Sequence, residues 1–162
     1  MAAAPRSESR ASTVRPLASN RRALHDYEIL ETVEAGIALA GTEVKSARAG
    51  RVQLREAFVE FRAGEAFLVG AHISAYSHGN RENHPPDQPR KLLLHRREID
   101  RLFGRGLAKG LTVVPLAFHL RGQRIKVEIA LVQGKKLHDK RETERRKEHE
   151  REAREAMREH AR

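Results

Sequence analysis

Cysteine is absent from the 162 residues, and that one absence excludes disulfides, thiolate zinc sites and cysteine nucleophiles together. Tryptophan is absent too, and aromatics amount to 4% of the chain. A single-strand binder built on a wide stacking platform carries more of them. No apolar run approaches the roughly 18 residues that a spanning helix needs. The first twenty residues, Met1 to Asn20, are rich in Ala, Ser and Arg but lack the apolar stretch of a secretory signal. A cytoplasmic protein is expected by elimination.

Positive charge is what the chain has in surplus. Lys and Arg number 32 against 22 Asp and Glu, a formal net charge of +10 with a pI near 10.6. Such an excess attracts polyanions, because releasing the counterions condensed on a phosphate backbone is favourable. Nucleic acid is the leading partner class and an anionic membrane surface the second. Hydrophobic residues make up 39%, enough for one modest core in a chain of single-domain length.

Composition divides the chain into three zones. Residues 1–20 read as a flexible N-terminal arm, 21–134 hold nearly all the Ile, Val, Leu and Phe, and 135–162 are almost purely Lys, Arg, Glu and His. In the middle zone the apolar period is mostly two. Tyr27, Ile29, Val33, Ala35, Ile37 and Leu39 share one parity, with Glu31 the exception, and Gly36 marks a bulge or a close backbone approach. A short helix is predicted over 41–50, with Thr42 as N-cap and Gly50 just past its end. A hairpin pairs 57–61 with 66–73, and Ser74–Pro89 is a polar loop. A second helix follows His95, with Glu98 at its third position, a stripe of Ile99, Leu102 and Phe103, and Gly104 and Gly106 as its stop. Two long strands close the zone. Ile125, Val127, Ile129 and Leu131 point inward, and Pro115 marks an edge or a bulge. The expected fold is mainly β: an antiparallel sheet of about six strands, closed into a barrel, with two or three short helices.

The tail follows different rules. From Thr143 onward it has no apolar stripe with which to pack on the sheet, yet its residues favour helix and Glu142–Arg146 and Glu150–Arg154 are supportive pairs. It is expected to be disordered when free and helical against a polyanionic partner.

Little here suggests catalysis. His72, His78, His84 and His95 match no compact ligand spacing, so neither metal nor cofactor is expected. The pairs Asp26/Glu28 and Glu31/Glu34 have no nucleophile motif or phosphate loop beside them, and suit salt bridges or RNA contacts better than acid–base work. Asn20, Arg21, Arg22, His25 and Tyr27 place amide, guanidinium and imidazole groups where the arm enters the sheet, chemistry suited to phosphates and unstacked bases.

Five collinear blocks carry a resemblance. They are Asn20 to Tyr27, Glu34-Ala35-Gly36-Ile37, Gly41 to Ser46, Arg90-Lys91-Leu92-Leu93-Leu94, and Gly134 to Arg141. Together they resemble the bacterial SsrA-binding, or small protein B, family over about residues 20–145. The resemblance implies an oligonucleotide-binding (OB) type barrel that binds the tRNA-like domain of transfer-messenger RNA (tmRNA) and delivers it to stalled ribosomes for trans-translation. It implies an RNA-binding face at Asn20, His25, Glu34, Gly36 and Leu93, to which Arg21, Arg22, Tyr27 and Lys91 are added as candidate RNA contacts. Gly134, Lys135, Lys136, His138, Asp139, Lys140 and Arg141 match the tail motif that would meet the decoding centre, with the following helix in the mRNA channel. A monomeric adaptor without enzymatic activity is expected. A generic structural RNA-binding protein and an RNA-processing enzyme are the other readings.

Overall fold

The computed structural model describes residues 14–78, 83–107, 110–134 and 137–160. The elements run β1 (Val14–Ser19), α1 (Arg21–Asp26), β2 (Tyr27–Ile37), α2 (Gly41–Arg48), β3 (Val52–Gln53), β4 (Phe58–Arg62), β5 (Glu65–Val69), β6 (His72–Ile73), β7 (Arg90–Leu93), α3 (Arg96–Gly106), β8 (Leu111–Arg121), β9 (Arg124–Gly134) and α4 (Leu137–His160). Seven strands form one antiparallel sheet in the order β1-β8-β9-β2-β7-β5-β4, and β3 pairs with β6 beside it. The mainly β expectation holds, with nine strands among the described residues where about six were expected.

Barrel closure is where expectation and structure part. Among the described residues no ladder joins the two outer strands, β1 and β4, so the sheet is not closed by hydrogen bonds. β4 lies against β8 instead, without a ladder between them, and within the sheet β2 pairs with β9 from Tyr27 to Gly36 but meets β7 only at Gly36 and Ile37. Along β2, Glu31 is held by Arg101 and Arg105 of α3.

β2 also corrects the parity expectation. Its register with β9 shifts between Ile29 and Glu31, so Leu30 is an extra residue that turns the strand over. Beyond the bulge, Glu31, Val33, Ala35 and Ile37 share the face of Leu131, Ile129 and Val127, while Ile29 and Leu30 are exposed. The bulge falls at Leu30 and not at Gly36. Gly36 is the close approach instead, since a Cβ there would lie 3.1 Å from Leu93 Cβ. Ile125, Val127, Ile129 and Leu131 are buried as expected, in one core with Leu68, Leu92, Leu102 and Phe118. Pro115 stands at a bulge in β8, a strand paired on both sides, as the missing N–H favours.

Several local readings change. The arm ends earlier than expected: Val14–Ser19 is an edge strand on β8, with Leu17 and Ala18 packed against the core, and residues 1–13 lie outside the described residues. Ala40, not Thr42, occupies the N-cap of α2, and the Thr42 hydroxyl meets His84 Nδ1 at 2.8 Å. The second hairpin strand stops at Val69. Gly70 has φ +78°, and a Cβ there would sit 2.8 Å from the Glu56 carbonyl oxygen, so the chain turns and His72–Ile73 pairs with β3. α3 runs through Gly104 to Gly106; Ile99 and Leu102 are buried, and Phe103 is half exposed against the edge of Phe61. In the tail, Leu137–His160 form a 24-residue helix, as its residue propensities allow. No helix is long and apolar enough to cross a membrane among the described residues.

Candidate nucleic-acid interface

The residues singled out in the sequence fall into two groups along β2, about 23 Å apart at some 3.3 Å per residue from Tyr27 to Glu34. The first surrounds α1. Asn20 is its N-cap: Oδ1 accepts from the Ala23 N–H at 3.2 Å, and Nδ2 donates to the carbonyls of Leu54 (3.1 Å) and Pro115 (2.9 Å). At 4% exposure this amide is fully engaged inside the protein, and it fixes where α1 starts. Arg21 is exposed, while Arg22 pairs with Asp26 (3.2 Å) and Glu56 (2.8 Å). Tyr27 ends the helix and packs on Val114, Leu116, Ala130 and Val132, which α1 covers on the outer face of the sheet.

His25 joins this group to the tail. Its Nδ1 lies 2.9 Å from Asp26 Oδ1 and its Nε2 lies 2.8 Å from Glu144 Oε1. The hydrogen bond to Asp26 first, and that to Glu144 next, raise its pKa above the ordinary histidine value. The register of β9 explains the meeting: Gly134 pairs with Tyr27, so the strand delivers the tail beside α1. Of the tail-motif residues, His138, Asp139, Lys140 and Arg141 fall in the first turns of α4, and Lys135 and Lys136 lie outside the described residues.

The second group lines an open groove of about 550 Å³ between the β2–β9 surface and the start of α3. Glu34, Gly36, Lys91 and Leu93 all border it, although Glu34 and Leu93 are 59 positions apart in the chain. Leu93 is 55% exposed, an apolar side chain standing in a polar rim. Lys91 Nζ pairs with Glu65 at 3.2 Å. Glu34 is held from β8: Arg121 donates to it from Nε (3.1 Å) and Nη2 (2.7 Å), and His119 Nε2 lies 3.0 Å from Oε2. The Arg121 hydrogen bonds chiefly, with help from His119, hold its carboxyl below the usual glutamate range against a smaller opposing effect of burial.

Sequence reasoning missed His119, Arg121 and Lys126. Parity could have found two of them, because Lys126 pairs with Gly36 on one side and His119 on the other, on the outward face that Glu34 shares. Glu31, expected to form salt bridges, does so with Arg101 and Arg105, partners that the turned-over strand brings within reach. The GTEVKS block does different work. Glu43 is buried with Arg90 at 3.2 Å, accepts from Gln88, and helps pin the 85–90 segment to α2.

A carboxylate fixed between cations, lysines, and an exposed leucine can together accept from base or ribose donors, contact phosphates and cover a base face. That chemistry, on a basic sheet with a charged helix leaving its flank, defines a β protein built to recognise a structured polyanion. The chain belongs to the SmpB family: the model of the SmpB protein family matches residues 17–159. It is 54% identical over 142 residues to the SsrA-binding protein of Carboxydothermus hydrogenoformans, covering 88% of this chain and 95% of that one. The SsrA-binding protein of Syntrophobacter fumaroxidans is 51% identical over 144 residues, 89% of each chain. A chain of the solved structure "tmRNA-SmpB: a journey to the center of the bacterial ribosome" is 50% identical, with a TM-score of 0.64 over 74% of this chain and 85% of that chain.

Proposed function

We propose that this protein is a non-enzymatic RNA-binding adaptor that takes up the tRNA-like domain of tmRNA and carries it to stalled ribosomes for trans-translation. The observation that carries this reading is the convergence of Glu34, Gly36, Lys91 and Leu93, from separate sequence blocks, on one groove. Relatives that share half of the residues, each an SsrA-binding protein, support it. The sheet acts as an OB-like barrel closed by packing, since β4 lies near β8 without pairing to it. Residues 21–134 are the RNA-binding body. The segment 135–162 meets the decoding centre and extends as a helix in the mRNA channel, and the protein works as a monomer in the cytoplasm.

Gel-shift titration with the tRNA-like domain and with an unrelated structured RNA of equal length tests this. The tRNA-like domain should bind more tightly, and Glu34→Ala should weaken that binding even though it removes a negative charge from a basic face. Equal affinity for the two RNAs, or tighter binding by the variant, would leave only a generic electrostatic binder.

A further inference from the structure

Glu31 sits where the β2 bulge has turned a carboxylate toward α3. Two arginines meet it there. Arg101 Nη2 is 2.7 Å from Oε1 and Arg105 Nη1 is 2.6 Å from Oε2. The carboxylate is 21% exposed in its side chain, whereas both arginine side chains are about half exposed, at 51% and 50%. One negative charge therefore braces two positive ones, and the unit is left with a net +1 directed at solvent. A guanidinium has five N–H donors in a rigid fork, so each arginine keeps donors to spare after meeting Glu31.

The position of this fork gives it a partner. Glu98, Arg101 and Arg105 follow a three-and-four spacing along one flank of α3, and Glu98 already borders the groove that holds Glu34 and Leu93. From Glu98 the flank runs about 10 Å to Arg105 at 1.5 Å per residue. Glu31 lies three residues from Glu34 along β2, again about 10 Å. The fork thus continues from the groove along α3, beyond Glu98, while Glu31 and Glu34 themselves stand on opposite faces of β2.

We propose that Arg101 and Arg105, cross-braced by Glu31, form a phosphate-binding fork that continues the Glu34–Leu93 groove and holds the backbone of the RNA bound there. The inference rests on the reading of the groove as an RNA site. Pre-bracing is the physical point: two long side chains already ordered by Glu31 lose less freedom when a phosphate arrives than free arginines do. Bidentate geometry gives the fork an orientation that lysines in its place would lack.

Filter binding of the tRNA-like domain of tmRNA, measured between 50 and 200 mM salt, separates the possibilities. Arg101→Gln/Arg105→Gln should lose about tenfold in affinity at the lower salt, and its log K against log salt slope should become shallower by about one. Glu31→Gln removes the brace that orders both guanidiniums, so it should bind severalfold more weakly even though it takes away a negative charge. Arg101→Lys/Arg105→Lys should keep the slope but recover only part of the affinity; it serves in place of the glutamine pair should that pair fail to fold by circular dichroism. If the wild-type chain binds the RNA while the glutamine pair matches it in affinity and slope, or Glu31→Gln binds more tightly than the wild type, the braced fork does not hold the RNA and the arginines serve only α3. If the wild-type chain does not prefer this RNA at all, the functional reading falls and the fork falls with it.

Discussion

At the scale of single residues, charge is used in two opposite ways. Glu34 is partly open to solvent and is kept ionised by Arg121 and His119, so it remains a fixed acceptor on a basic face. Glu43 is fully buried, and Arg90, with a 1% exposed side chain, spends its remaining donors on the carbonyls of Ala71 (2.8 Å) and Pro86 (2.8 Å). Such a pair contributes little net stability when intact, but removing one partner leaves an uncompensated charge in the core. Arg90→Met should therefore cost about 3–5 kcal/mol in a urea-unfolding titration. Arg90→Met/Glu43→Leu should recover much of that loss. A single variant as stable as wild type would show that water reaches Glu43.

At the scale of elements, the imidazole of His25 links α4 to the body, lying between Asp26 and Glu144. A neutral imidazole has one N–H and can donate to only one of these carboxylates, whereas the protonated ring donates to both. Its folded-state pKa is raised, so the stabilisation is fully present below the ordinary histidine value and is lost as pH rises through the raised one. The groups facing the ring are those two carboxylates, with Arg22 tied to Asp26 from the other side. Dyes placed on exposed positions of α4 and β4 should report a docked helix at mildly acidic pH and a loosening as the solution becomes alkaline. Glu144→Gln should flatten that profile, and a separation unchanged with pH in the wild type would mean that other contacts hold the helix.

At the scale of the whole molecule, the body and the tail are built on different physics. Among the described residues, every buried residue of the main core lies between Ala35 and Leu131, and none of them belongs to α4. A chain stopped after Gly134 should keep its melting temperature and bind the tRNA-like domain no more weakly than the full protein. It should nevertheless fail to support tagging in a reconstituted translation reaction. Loss of RNA affinity on truncation would move part of the RNA-binding surface into the tail.

Much of this was legible in the chain itself. A net charge of +10, the missing cysteines and the alternating apolar residues of 111–134 determine a basic, mainly β protein, because charge and side-chain parity are local properties that the backbone period exposes directly. The helical character of 137–160 is legible for the same reason, since propensity acts residue by residue. Only the tertiary structure decided that Leu30 is an extra residue, that Glu31 therefore turns toward Arg101 and Arg105, that Asn20 is a buried tie, and that Val14–Ser19 joins the sheet. Each depends on which strand lies alongside, and register is a property of a pair of strands that neither carries alone.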